Sequence, residues 1–364
     1  MKFKVTKSKL LEGLQAVQNV VNVRNTLPIL SNVLISADKN KLLLTTTDLD
    51  ILIKCEIEAD VAKSGSTTLP AKRLASIIKE LSDEEIDFDV DDKNMAQIKS
   101  GSAQFKIYGL SEDEFPPVAK PESKYAYSME QKDFKDMLKK THYAASTDET
   151  RFILNGVLMC FKAGKLTIVA TDGRRLAFAE REVEFPKDAE TEIILPSKAV
   201  NELLHTLADE GKLKIHAKEN RIMFEYGNML LVSKLIEGTY PNFRQVIPTQ
   251  CEEKVTVERE GLMSAVRRVS LLAKDRSTAV KFTFGKNKLT VSLTSQDVGE
   301  AKESLPIKYA GKEISIAFNP DFVIDPLRTL TDDEINFELV DELSPGVIKT
   351  DVPFLYVIMP MRIS

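Results

Sequence analysis

The sequence predicts an α+β protein in which one domain plan is used three times. Three observations carry this. The chain has 364 residues, too many for one ordinary core, and is 43% hydrophobic and 29% charged, a globular composition. Matching segments recur three times in the same order, spaced by roughly 125 residues. Most of the remaining chain alternates apolar and polar residues with period two and is rich in Val, Ile, Thr and Phe, the pattern of half-buried antiparallel strands.

The first matching set is FKVTKSKLLEGLQAV from Phe3, YSMEQKDFKDMLKKT from Tyr127 and VTVEREGLMSAVRRV from Val255. Each opens with a short alternating strand and passes into a helical pattern. Leu10 and Leu14 match Phe134 and Leu138, then Leu262 and Val266. The second set is a pair of strands joined by a turn, beginning KLLLTTTD at Lys41, KLTIVATD at Lys165 and KLTVSLTS at Lys288. The third is TLPAKRLASIIKEL from Thr68, ILPSKAVNELLHTL from Ile194 and AFNPDFVIDPLRTL from Ala317. In each of these a strand ends in Pro or Asn-Pro and an amphipathic helix follows, since Pro fits the first helical turn. Boundaries are expected near KPESK at 120–124 and PTQCEE at 248–253, giving domains 1–121, 122–249 and 250–364 with two helices each.

Net charge is −5, from 50 Lys and Arg against 55 Asp and Glu, which alone argues against a nucleic-acid binder. The distribution argues otherwise. Lys132, Lys135 and Lys139 recur at three and four on a face away from the apolar stripe Phe134, Met137, Leu138 and Thr141. Arg267 and Arg268 lie off the stripe Leu262, Val266 and Val269, and the later helices add Lys72, Arg73 and Lys198. Acidic residues gather instead in SDEEIDFDVDD, SEDE and TDDE. If the helices line one surface, phosphate backbone is attracted there and repelled elsewhere. No base-reading motif accompanies these residues, so the expected attraction is blind to sequence.

Other chemistries find little support. His142, His205 and His216 have no shared metal-ligand spacing, and no GxSxG, GxxxxGK[ST] or GxGxxG occurs. A Mg²⁺-dependent nuclease would rest on abundant carboxylates alone, so neither enzyme activity nor a metal or cofactor is expected. Cys55, Cys160 and Cys251 are far apart, which fits a reducing cytoplasm. There is no 18-residue apolar run and no signal-peptide pattern at MKFKVTKSKL.

The three α+β repeats, the opening MKFKV and the motifs TLPIL at 26–30, ATDGRRLA at 170–177, YPNF at 240–243 and MPMR at 359–362 resemble the bacterial DNA polymerase III β subunit family, the sliding clamps, over the whole chain. The resemblance implies a head-to-tail homodimer: a ring of six DNA-clamp domains, antiparallel sheets outside and helices inside, encircling duplex DNA to hold the replicative polymerase. It implies DNA-facing roles for Arg24, Arg151 and Phe152, with Lys198 as a further candidate, and contact positions between protomers at Phe105, Leu271 and Leu272. Ile153 stands where the family often has an aromatic residue, so no stacking is expected there. A repeat scaffold that binds peptides without encircling DNA is the alternative.

One hairpin differs between the copies. The first has TTTDLDIL and the third SLTSQDVG, while only the middle one has TDGRRLAF, which points to a task performed once per chain. Asp-Gly predicts a tight turn with φ > 0 at both positions. By resemblance the task is docking short linear motifs of polymerases, the clamp loader and repair proteins. The matching positions are Leu154, Thr171, Gly173, Arg174, Arg175, Leu176, Pro241, Val246, Val357, Met359, Pro360 and Met361. Apolar Leu, Val, Pro and adaptable Met suit such a surface, and Arg175 offers planar donors to a peptide. Family members often have His at Arg174 and Arg at Gln245, which leaves the preferred peptide open.

Overall fold

A computed structural model describes the chain except residues 22–26, 83, 118–125, 219, 249–252, 276–277, 296, 351–352 and 363–364. Arg24 and both expected domain boundaries lie outside the described residues. The element order repeats three times as anticipated: strand, helix, strands, helix, strands. The helices are α1 (Lys7–Val17), α2 (Ala71–Glu80), α3 (Gln131–Thr141), α4 (Ser197–Thr206), α5 (Arg259–Val269) and α6 (Pro320–Thr329). Their buried faces are the stripes read from the sequence: Leu10 and Leu14 in α1, Phe134, Met137, Leu138 and Thr141 in α3, Leu262, Val266 and Val269 in α5. Asn319 caps α6, accepting the Asp321 N–H at 2.9 Å, and Pro320 occupies the first turn, where its missing N–H leaves no bond unmade.

The chain forms two compact units, and these are not the repeats. The first comprises Met1–Lys135 and Lys198–Leu235. It holds a five-stranded sheet ordered Asp60–Lys63, Lys2–Thr6, Glu85–Val90, Met95–Ser100, Ala103–Tyr108. Its second sheet has eight strands, in which Ile51–Glu58 of the first repeat pairs antiparallel with Met229–Lys234 of the second. Helix α1 packs on α2 and on the strands Lys41–Thr47 and Ile51–Glu58. Gly13 makes this possible: a Cβ there would lie 2.8 Å from Leu44 Cδ1.

The second unit comprises Asp136–Ser197 and Ile236–Ser364. Its eight-stranded sheet joins Arg175–Glu182 of the second repeat to Phe354–Ile358 of the third, and a four-stranded sheet ends in Gly299–Pro306. Helix α5 packs on α6 and on the strands Lys288–Ser295 and Gly299–Pro306. Each large sheet is thus shared by two successive repeats, so its apolar strands are covered and hydrogen-bonded across what the sequence reads as a boundary.

Candidate partner groove and charged helices

The TDGRRLAF hairpin is built by the strands Lys165–Thr171 and Arg175–Glu182, which pair through Thr171 and Leu176. The intervening turn is wider than the two-residue Asp-Gly turn expected, and only Gly173 takes positive φ (84°). Its lock is the side chain of Asp172, which accepts the Arg174 and Arg175 N–H groups at 2.9 and 3.0 Å. Thr171 Oγ1 completes it, accepting the Gly173 N–H at 3.1 Å and donating to the Arg175 carbonyl at 2.6 Å. On the other side, Leu176 lies opposite Val357, and the Met359 N–H donates to the Arg174 carbonyl at 2.9 Å. The Met361 N–H donates to the Ala317 carbonyl at 2.8 Å, fastening the C-terminal segment to the third repeat.

Beneath the hairpin is one apolar cluster of Leu158, Val169, Leu176, Ile194, Tyr240, Phe243 and Val357, with Leu154 partly buried against it. The Tyr240 hydroxyl accepts the Thr171 N–H at 3.1 Å, and burial pushes its pKa well above the usual phenol range, so it stays protonated. Above this floor the surface stays apolar but open. Val246 is 49% exposed and Met359 43% exposed, Pro360 and Met361 are half-buried, and Pro241 is exposed. All described groove candidates therefore lie in the second unit, and an exposed apolar rim sits over a close-packed base. Tyr240, Phe243 and Asp172 were not singled out in sequence as groove residues. The signals were there: two belong to YPNF, and the third is the Asp of Asp-Gly.

Arg175 departs from the role read from sequence. Its side chain is only 10% exposed. Nε donates to Asp172 at 3.0 Å, Nη1 to Asp325 of α6 at 2.6 Å, and Nη2 to the Tyr143 carbonyl at 2.6 Å, while the guanidinium stacks 4.3 Å from the Phe322 ring centroid. Each of its three nitrogens is bonded inside the protein, tying the hairpin to α6. Arg174 is the exposed arginine of the pair.

The basic candidates divide by their partners. Lys72, Arg73, Lys132, Lys139 and Arg267 are exposed and form no ion pair among the described residues. Lys135 is 17% exposed and held by Asp209 at 3.1 Å. Lys198 is held by Asp48, and Arg268 meets Glu303 through two nitrogens, Nε at 2.9 Å. Arg151 is exposed, donates to the Asp172 carbonyl at 3.1 Å, and so touches the groove hairpin, with Phe152 beside it 57% exposed.

The contact candidates are not core residues. Phe105 is 37% exposed on the edge strand Ala103–Tyr108, where Tyr108 is 79% exposed. Leu271 is 81% exposed and Leu272 half-buried in the short turn after α5, beside the edge strand Gly299–Pro306. Among the described residues, no group of three or more His, Cys, Asp or Glu could hold a metal, and no helix is long and apolar enough to cross a membrane.

Three repeats, shared antiparallel sheets and a pair of cation-bearing helices in each repeat define the class of DNA sliding clamps. The DNA polymerase III beta subunit matches by its N-terminal domain at residues 1–119, its central domain at 128–242 and its C-terminal domain at 244–362, and the chain belongs to that family. It is 34% identical over 363 residues to the beta sliding clamp of Chlamydia muridarum, covering 100% of this chain and 99% of that one. The beta sliding clamp of Synechocystis is 34% identical over 389 residues, with both chains fully covered. Among solved structures, the sliding clamp of Bartonella birtlesii bound to griselimycin superposes with a TM-score of 0.95 at 35% identity, and that of Bacillus subtilis with 0.96 at 30%, each over both full chains. The chain's function is accordingly that of a DNA sliding clamp, a processivity factor and not an enzyme.

Proposed function

We propose that two copies of this chain close head to tail into a ring of six domains, each chain contributing domains 1–121, 122–249 and 250–364, and that the ring encircles duplex DNA in the cytoplasm. The observation that carries this is the pair of unlike sheet edges. One unit ends in Ala103–Tyr108 with Phe105 and Tyr108 exposed, the other in Gly299–Pro306 with Leu271 beside it. A free edge offers unpaired backbone donors and acceptors, and two different edges per chain suit a heterologous contact that closes on itself. Sedimentation equilibrium of the intact chain tests this: the reading requires a dimer mass and is lost if the chain is monomeric at micromolar concentration.

In the same reading, Lys72, Arg73, Lys132, Lys139, Arg151, Phe152 and Arg267 face DNA, with Arg24 and, more weakly, Lys135, Lys198 and Arg268. The last three are already neutralised by carboxylates, which softens the attraction and suits DNA that slides. The hairpin groove receives linear motifs from the replicative polymerase, the clamp loader and other DNA-processing proteins. Leu154, Thr171, Gly173, Leu176, Pro241, Val246, Val357, Met359, Pro360 and Met361 contribute surface or frame, Arg174 is available to the peptide, and Arg175 holds the frame.

A further inference from the structure

The groove hairpin has a copy in the first unit, bond for bond. Thr47 Oγ1 donates to the Ile51 carbonyl at 2.8 Å and accepts the Leu49 N–H at 3.0 Å, as Thr171 does with Arg175 and Gly173. The Asp48 carboxylate accepts the Asp50 and Ile51 N–H groups at 3.0 and 2.8 Å, as Asp172 does with Arg174 and Arg175. The Lys234 N–H donates to the Asp50 carbonyl at 2.8 Å, as Met359 does to Arg174, and Leu52 lies opposite Val232 as Leu176 lies opposite Val357.

The apolar floor differs in continuity. The single cluster under the Asp172 hairpin is here two clusters, Ile29, Leu30 and Phe115 on one side, Leu52, Met223 and Val232 on the other. A cleft of about 370 Å³ opens over the second of these, lined by Leu49, Leu52, Pro116 and Val232 with Arg221 and Lys234. Leu49 is 48% exposed at its rim and takes φ 78°, the left-handed region that Gly173 fills in the other hairpin. A leucine held there costs about 1–2 kcal/mol of backbone strain, and such strain gathers where a side chain is presented for a purpose. Charge also differs. Lys234 stands in place of Met359, and Arg221 forms no ion pair among the described residues. Against these two cations the described lining sets one carboxylate, Asp50, bound to Lys234 at 2.9 Å.

We infer that this cleft is a second docking groove, for a short segment of a partner protein that pairs aliphatic side chains with a carboxylate. The aliphatic side chains pack on Leu49, Leu52 and Val232, and the carboxylate accepts hydrogen bonds from Arg221. The inference rests on the docking role proposed for the Asp172 hairpin, of which this is a differently charged copy.

The test uses the full-length protein carrying Met361→Ala, which weakens the first groove. It is titrated with fluorescein-labelled pentapeptide amides that each combine two of Leu, Ile and Val with one Glu, and with the matching Gln peptides. At least one Glu peptide should saturate the protein, and its Gln analogue should bind at least tenfold more weakly. Adding Arg221→Gln should erase that difference. Adding Leu49→Asn, which tolerates positive φ and removes only the aliphatic rim, should weaken binding about tenfold with no fall in Tm. The inference is overturned if no Glu peptide saturates the protein, or if binding ignores both Leu49→Asn and Arg221→Gln. Failure of the first-groove reading looks different: there, a polymerase-derived peptide binds the Met361→Ala protein as tightly as the unchanged protein, whatever the Glu peptides do.

Discussion

Arg175 does in this protein what a buried ion pair does best, which is to fix one arrangement of its neighbours. Its three nitrogens and its stacked face join the hairpin, the segment at Tyr143 and α6. Arg175→Ala leaves Asp325 without its closest partner in a largely desolvated setting, and should destabilise the protein by about 3 kcal/mol in urea unfolding. Arg175→Lys should not restore it, because a single ammonium cannot serve three directions. Met361→Ala removes apolar surface without touching that frame. It should lower the affinity of a polymerase-derived peptide by about 2 kcal/mol, roughly thirtyfold, at unchanged Tm, and an unchanged affinity in fluorescence polarisation would remove Met361 from the groove. The buried thiols of Cys55 and Cys160 are pushed up to about 11, mainly by burial, so both should escape iodoacetamide at pH 8 in the native protein and react on unfolding, as peptide mass spectrometry would record. The residues that gather around the Asp172 hairpin could be named from the sequence, but the internal bonds of Arg175 could not. Its partners Tyr143 and Asp325 stand 32 and 150 residues away, and no local pattern announces such a meeting.

Helices and strands were the most legible level. The stripes Phe134–Leu138 and Leu262–Val266 name the buried faces because a helix that buries one side must repeat every three or four residues. The sharing of each large sheet between repeats escaped the sequence, since Ile51–Glu58 and Phe354–Ile358 alternate like any other strand and carry no sign of which edge they seek. The turn at Asp172 was misjudged in type for a related reason: Asp-Gly favours a two-residue turn locally, but the side-chain lock on two successive N–H groups holds a wider one. At this scale the edges are the feature to test. Leu271→Ala with Leu272→Ala removes exposed apolar surface beside the Gly299–Pro306 edge and spares the core, so the variant should stay folded and sediment as a monomer. An unchanged dimer would mean that the contact lies elsewhere.

For the whole molecule, the sign of the charge is less informative than its placement. A net charge of −5 coexists with exposed Lys72, Arg73, Lys132, Lys139 and Arg267 on helices, which form no ion pair among the described residues, while other helical cations are already bound to carboxylates. Such a surface attracts phosphates weakly and without reading bases, and direct binding of that kind falls steeply as salt rises. Retention on DNA then has to come from topology. The direct measurement is to load the protein onto nicked circular DNA with a clamp loader and ATP, raise the salt, and follow what remains bound. The protein should survive high salt on the intact circle and leave once the circle is linearised; loss at high salt from intact circles, or equal retention on linear and circular DNA, would rule out encirclement.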